Sequence, residues 1–186
     1  VRPHWLGRQQ RRHDRSDLEG QCNLVIGLND IHAQLLEKRP QHCATLMLDA
    51  SAGGARLICN SDQGAHLPVG QLVLVLADSG TPTLALVRWR HQNAEGLHLG
   101  LRYLKGLPRP VWLRRAPSAQ THPGVMQSTP APGNGWHHGL WLPNGQFVEG
   151  ENLWLQLASV NNQAILPLPA SNLCTPSVSR YPLRLA

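Results

Sequence analysis

The stretch HCATLMLDASAGGARLIC, residues 42–59, is typical of two β-strands joined by a tight turn. Residues 42–48 and 54–59 are mostly apolar, whereas residues 49–53 are small or polar. Glycine favours turns because it accepts unusual backbone angles, and aspartate favours them because its side chain bonds to nearby backbone. The sequence therefore predicts a hairpin with strands at 42–48 and 54–59 and a turn at 49–53.

Similar short strands are predicted on both sides of this hairpin. One precedes it at residues 21–27, and three follow at residues 70–77, 83–91 and 96–105. From Leu97 to Tyr103 every second residue is apolar, which is the pattern of a strand with one buried face. Six short strands at this spacing predict a mainly β fold, a six-stranded antiparallel barrel.

One short helix is predicted between the first and second strands. Ile31, Leu35 and Leu36 recur at helical spacing within residues 29–38, and Pro40 ends the segment. Asn29 is a suitable N-cap, because its side chain can accept a bond from the first turn of the helix. We therefore expect a helix over residues 29–38.

The chain continues well beyond the predicted barrel. A strand-like stretch at 111–115 is followed by a Pro/Gly/Ser-rich segment at 116–135, which predicts a surface loop or linker. Further strand-like runs follow at residues 138–142, 152–157, 163–168 and 180–185. These strands predict a C-terminal β extension that either packs on the barrel as a second sheet or mediates dimerisation.

The predicted domain organisation has three parts. Residues 1–20 are polar and basic and form an arm, and residues 21–105 form the barrel. Residues 106–186 form the Pro/Gly-rich connection and the β extension. The sequence begins at Val1, so we expect a longer protein in which another region precedes this one.

The positive charge of the chain is carried almost wholly by arginine. Cations outnumber anions by 17 to 11, and only Lys38 and Lys105 are lysines. Arginine grips phosphate and guanine edges with a planar fork, whereas lysine acts mainly as a point charge. A GC-rich genome would also raise the arginine content. The placement argues for function, since five arginines lie in the first fifteen residues: Arg2, Arg8, Arg11, Arg12 and Arg15.

Several classes of function are disfavoured. Cys22, Cys43 and Cys59 lie in apolar runs, and no pair of the four cysteines has C-x-x-C spacing, so neither a zinc site nor a disulfide framework is expected. The paired His137 and His138 have no acidic or cysteine partner at ligand spacing, so no metal site is expected.

No hydrolase or phosphate-loop motif is present, so we predict no catalytic residues and no enzyme activity. No apolar run is long enough to span a bilayer and no signal peptide is visible, which predicts a cytoplasmic protein.

Two segments have the chemistry of a ligand site. Asp49 and Ser51 lie two apart, so both side chains can point to one face and bind the N–H edge of guanine. Gly53 and Gly54 permit left-handed geometry and a close approach of ligand to backbone. A turn of this composition is by itself a common structural feature.

The second segment is an Arg-x-x-x-Arg element in the basic arm. Arg11 and Arg15 can bracket a compact dianion, with one guanidinium on a guanine edge and the other on a phosphate. A second frame, Arg8 and Arg12, has the same spacing. We prefer Arg11 and Arg15 because they lie nearer the barrel.

Together these segments resemble the PilZ domain family. That family has an Arg-x-x-x-Arg element before the first barrel strand and an Asp/Asn-x-Ser-x-x-Gly turn between the second and third strands. Asp49, Ser51 and Gly54 match the turn, and Gly53 supplies the common second glycine. The stretches at 70–75, 85–89 and 96–101 are also similar to later PilZ strands. The resemblance covers roughly residues 8–105, and the helix and the C-terminal strands extend the minimal domain.

The resemblance implies a six-stranded barrel that binds the bacterial second messenger cyclic di-GMP without a further cofactor. Arg11, Arg15, Asp49, Ser51, Gly53 and Gly54 are the implied ligand-binding residues, with Arg8, Arg12 and Trp89 as additional candidates. Binding is expected to be relayed to a protein partner or to a domain preceding Val1, and a homo-oligomer is an option. The rival interpretations are a basic barrel that binds nucleic acid and a PilZ-like assembly module without ligand.

Overall fold

A computed structural model of the chain describes residues 16–60, 62, 67–77, 80–158 and 163–184. Within these residues it contains thirteen strands and one helix, α1 (Leu28–Leu35). The strands are β1 (Ser16–Ile26), β2 (Cys43–Ser51), β3 (Gly54–Cys59), β4 (Leu72–Ala77), β5 (Thr83–Asn93), β6 (Gly96–Tyr103), β7 (Leu107–Arg114), β8 (His122–Pro130), β9 (Trp136–Pro143), β10 (Asn152–Leu157), β11 (Gln163–Pro167), β12 (Leu173–Cys174) and β13 (Val178–Leu183).

Strands β1 to β6 form a closed antiparallel barrel in the order β1-β2-β3-β6-β5-β4. This confirms the predicted six-stranded barrel. Its interior is filled by alternate residues of the strands, among them Leu24, Leu57, Val73, Val87 and Leu99. Closure pairs both edges of the sheet, so these strands leave no open edge.

The helix is shorter than predicted and begins earlier. It runs over Leu28–Leu35, and its N-cap is Gly27 with no side-chain cap bond, so the prediction of Asn29 as N-cap is wrong. Gly27 has a φ of 86°, and its carbonyl accepts the first helical bond from the Ile31 N–H at 3.0 Å. Burial decides the start, because Leu28 and Ile31 are both buried while Asn29 is exposed.

Strands β7 to β13 form a second sheet in the order β11-β10-β7-β8-β9-β13-β12. The prediction of a loop or linker at residues 116–135 is wrong in part, because β8 occupies His122–Pro130 in the middle of this sheet. The Pro/Gly composition concealed this strand. Pro123 and Pro130 lie near its two ends, and the residues between them include the buried Val125 and Met126.

The second sheet packs on the barrel through the helix. One apolar cluster combines residues from all three parts, including Leu74 and Leu84 of the barrel, Ile31 of α1, and Val125 and Trp141 of the second sheet. The outer wall of β4 and β5 is therefore buried, whereas the opposite wall formed by β2, β3 and β6 contributes no residue to this cluster. A separate cluster on the other face of the second sheet includes Val111, Leu140 and Leu155.

Among the described residues, none of the helical segments has the length and apolar character to cross a bilayer.

Candidate functional site

The two halves of the predicted site differ in what the structure describes. Asp49, Ser51, Gly53 and Gly54 lie at the end of the β2–β3 hairpin. The predicted arginine residues Arg8, Arg11, Arg12 and Arg15 lie outside the described residues. The geometry below is therefore that of the hairpin and of the strands beside it.

The hairpin turn is tighter than predicted. Ser51 pairs with Gly54, and only Ala52 and Gly53 form the turn, so Asp49 belongs to β2 and not to the turn. The Ser51 hydroxyl donates to the Gly54 carbonyl at 3.3 Å and accepts the Gly53 N–H at 3.3 Å. The hydroxyl therefore holds the turn closed and lies close to its backbone.

A β-bulge directs Asp49 to the outside of the barrel. The register of β2 with β3 shifts between Met47 and Asp49, and both Met47 and Ala50 pack against the interior core. An extra residue in one strand reverses the alternation that follows it. Asp49 and Ser51 consequently share the outer face, which is the arrangement that the guanine-edge hypothesis requires.

The Asp49 carboxylate is held by an arginine that the sequence analysis did not single out. The Arg56 Nε lies 2.9 Å from Asp49 Oδ2, and the side chains are 45% and 7% exposed respectively. The two residues are opposite each other in the β2–β3 register. Because residues 52 and 53 form the turn, residue 51 pairs with 54, and counting outward places Asp49 opposite Arg56. The sequence alone would have identified Arg56 if the turn had been predicted at this length.

Gly54 is required for a reason other than the predicted one. Its φ lies outside the left-handed region, so unusual backbone angles do not explain it. A Cβ at this position would lie 2.0 Å from the Leu101 carbonyl oxygen of β6. Glycine therefore allows β3 to approach β6 closely beside the turn of the hairpin.

A single cross-strand row connects Asp49 to Trp89. In the register, Asp49 faces Arg56, Arg56 faces Gly100, and Gly100 faces Trp89. The Trp89 indole lies over Gly100, where a Cβ would come within 2.0 Å of its Nε1 atom, and Trp89 is 40% exposed. A carboxylate, a guanidinium and an indole thus lie along about 14 Å of the outer surface, since adjacent strands are about 4.8 Å apart.

Strand β1 enters the barrel beside this row. Ser16 pairs with Ala50 and Asp17 pairs with Asp49. Ser16 is the first described residue, and Arg15 precedes it directly in the sequence. The chain that carries the arginine element therefore joins the barrel opposite the hairpin turn.

A family model described as PilZ domain matches residues 9–111. The chain belongs to the PilZ family. The match covers more than half of the chain and includes Arg11 and Arg15, the hairpin and the whole barrel, and it ends within β7. No curated protein matches the chain. The second sheet, from residue 112 onward, lies outside the matched PilZ region.

A cleft of about 850 Å³ lies at the other end of the barrel strands. Its lining includes the carboxamides Asn23, Asn60 and Asn93. It is lined by Thr45 of β2, six residues from Ser51, so roughly 20 Å of extended strand separates it from the turn. The PilZ hairpin surface and this cleft are therefore separate features.

Proposed function

We propose that this PilZ protein binds cyclic di-GMP on the outer face of the β2–β3 hairpin. The observation that carries the proposal is the register of β1, in which Ser16 lies opposite Ala50 and Asp17 opposite Asp49. Arg15 is bonded directly to Ser16, so its Cα lies about 3.8 Å from that of Ser16. An arginine element that begins there can reach the hairpin, which is what a shared ligand site needs.

The guanine edge is the part of the ligand assigned to the hairpin. Asp49 offers carboxylate oxygens to the N1–H and N2–H₂ donors of guanine, and Ser51 adds a hydroxyl on the same outer face. Gly53 has no side chain, so the ligand can approach the backbone of the turn closely, while Gly54 beside it lets β3 approach β6. Charge-assisted bonds of this kind contribute about 1.5–3 kcal/mol each.

The phosphates and the second guanine edge are assigned to the arm. Arg11 and Arg15 form bidentate contacts with phosphate oxygens or with guanine O6 and N7. Arg8 and Arg12 are the alternative frame. The family match begins at residue 9, which supports the frame that contains Arg11 and Arg15.

Arg56 and Trp89 extend the proposed site across the barrel wall. Arg56 keeps the Asp49 carboxylate oriented and adds positive charge next to a dianionic ligand. Trp89 presents an exposed indole on which a base can stack, and its position over Gly100 fixes it beside Arg56. Stacking on an aromatic side chain contributes about 1–3 kcal/mol per base.

The proposed biological role is a sensor and not an enzyme. The arm and the hairpin bind the ligand together, and the resulting change is relayed to a protein partner or to an attached domain. A ligand shifts such an equilibrium only through its different affinity for the two states of the protein. The proposal also implies a cytoplasmic location, where this messenger acts.

Calorimetric titration of the purified protein with cyclic di-GMP tests the proposal. We expect saturable binding that weakens more than tenfold in Arg11→Ala, Arg15→Ala and Asp49→Ala, while Arg8→Ala binds as the wild type does. Arg39→Ala and Asp62→Asn are matched controls, because both residues are exposed and lie in other connections. Circular dichroism establishes that each variant is folded.

Three outcomes would contradict the proposal. Absence of binding at tens of micromolar ligand by folded protein, together with steeply salt-dependent binding of oligonucleotides, would identify a nucleic-acid-binding barrel. Absence of both kinds of binding would identify an assembly module. Binding that is unchanged in Asp49→Ala would show that the ligand occupies another surface.

A further inference from the structure

A cavity of about 290 Å³ lies on the second sheet, away from the hairpin surface around Asp49. It opens on the face of the sheet that carries the apolar cluster of Val111, Leu140 and Leu155. Four neighbouring strands, β10, β7, β8 and β9, contribute its walls. The cavity is therefore the open end of a core, where the apolar face of the sheet reaches solvent.

Arg109 lies in this apolar face. Strand side chains alternate, so Arg109 is on the same face as Val111 and Leu113, which are both completely buried. The register places Arg109 opposite Met126, which in turn is opposite Leu140. Arg109 is itself exposed, so its guanidinium lies at the rim of the cavity, at a position that the pattern of the sheet would give to an apolar side chain.

The cavity supplies no negative charge to this arginine. None of the described residues that line it carries a carboxylate. Across the described part of the chain, Arg109 has neither an ion pair nor a hydrogen bond to a protein acceptor. A polar pair lies in the wall beside Arg109, where the Ser128 Oγ is 2.8 Å from His138 Nδ1. The polar groups of the cavity are therefore suited to an anion.

The remaining lining is apolar and partly exposed. Leu107 is 46% exposed and Trp136 is 58% exposed, and Leu157 of β10 lies on the opposite side. Exposed large apolar side chains that converge on one concavity are typical of a binding site. At the roughly 30 Å³ that one water-sized group occupies, the cavity holds about ten heavy atoms.

We propose that this cavity binds a small amphipathic carboxylate. Arg109 pairs with the carboxylate group, and the side chains of Leu107, Trp136 and Leu157 cover the hydrocarbon body. Ser128 and His138 provide a second hydrogen-bonding group next to the charged end. The site is independent of the proposed cyclic di-GMP site, since it lies on another sheet.

Titration of the full chain with octanoate, a ten-heavy-atom carboxylate, tests the proposal against 1-octanol, its neutral analogue. We expect saturable octanoate binding at least tenfold tighter than octanol binding. Arg109→Gln should abolish this preference while the protein stays folded. Arg184→Gln is the matched control, because Arg184 is an exposed arginine that does not line the cavity, and it should bind octanoate as the wild type does.

Equal affinity for octanoate and octanol would overturn the assignment of an anion site. Absence of saturable octanoate binding at low millimolar concentration would overturn the site itself. Trp136→Ala gives a second measurement, since loss of the exposed indole should weaken octanoate binding severalfold. The affinity for cyclic di-GMP should be the same in Arg109→Gln and the wild type, which separates this proposal from the preceding one.

Discussion

The Arg56 guanidinium lies 2.9 Å from the Asp49 carboxylate across the β2–β3 pair, and the acid is almost fully buried while the base is half exposed. Removal of one partner deprives the other charge of this ion pair. We expect Arg56→Gln to lower the free energy of unfolding by about 1 kcal/mol. A double-mutant cycle with Asp49→Asn, measured by urea denaturation, should give a coupling of about 0.5–1 kcal/mol. A coupling of zero would show that the contact between Arg56 and Asp49 contributes nothing to stability.

Trp89 should report ligand binding directly, because its indole is exposed beside Arg56. We expect cyclic di-GMP to change the tryptophan fluorescence, and we expect Trp89→Phe to remove most of that change although five other tryptophans remain. Trp89→Ala should weaken binding about fivefold, equivalent to about 1 kcal/mol of lost stacking. Trp136→Ala is the control, since that exposed indole lies on the second sheet. A signal that survives in Trp89→Phe would place the ligand elsewhere.

Gly54 should be the least replaceable residue of the hairpin. A Cβ there would lie 2.0 Å from the Leu101 carbonyl, so Gly54→Ala requires β3 and β6 to separate. We expect a loss of about 1–3 kcal/mol in the free energy of unfolding, measured by urea denaturation. Gly20→Ala is the matched control, because a Cβ at Gly20 of β1 meets no atom within 4 Å. Equal stability of the two variants would contradict the close approach of β3 and β6.

His32 should make stability depend on pH. The side chain is buried at the contact between α1 and the second sheet, with its ring 4.3 Å from the Trp112 ring. Burial lowers the pKa of His32 below 6.5, and Lys38 lowers it further, against a hydrogen bond to the Val111 backbone that raises it. The unfolded chain therefore binds the proton more readily than the folded chain between the folded pKa and 6.5.

The sign of the effect follows from this difference in proton binding. The contribution of the neutral His32 side chain to the free energy of unfolding is fully present above pH 6.5. The free energy of unfolding declines as the pH falls below that value, by at most about 1.4 kcal/mol per pH unit for one site. Thermal melting of the wild type and His32→Gln at several pH values measures it, and the decline should be smaller in the variant. His91→Gln, an exposed histidine of β5, should retain the wild-type slope. Parallel slopes in all three proteins would exclude His32 as the cause.

The barrel was predictable because its strands carry local signals. Alternating residues such as Leu97 and Leu99, and the turn residues near Gly53, mark strands and hairpins within a few residues. Strand β8 was missed because Pro123 and Pro130 give the segment the composition of a loop. Proline at the ends of a strand costs little, and the burial of Val125 and Met126 depends on distant strands that a local pattern does not contain.

The candidate site was predictable only in part. The Asp49–Ser51–Gly54 spacing is local, so the sequence alone identified it. The row that joins Asp49 to Trp89 depends on the register of four strands and on bulges in β2 and β5. A single-residue shift in either bulge would turn these side chains to the other face. The contribution of Arg11 and Arg15 stays a prediction, to be decided by the titration.

The apolar cluster shared by the barrel, α1 and the second sheet has a consequence for cooperativity. Each sheet has an apolar face that the other sheet covers. Leu74 and Leu84 of the barrel are buried against Val125 and Trp141 of the second sheet, and each pair would be exposed without the other. Residues that share one core unfold together. The described part of the chain should therefore unfold in one cooperative transition. Removal of the residues after 105 should expose the apolar side chains of β4 and β5 to solvent and promote aggregation. The cooperative unit is therefore about twice the size of the six-stranded barrel alone.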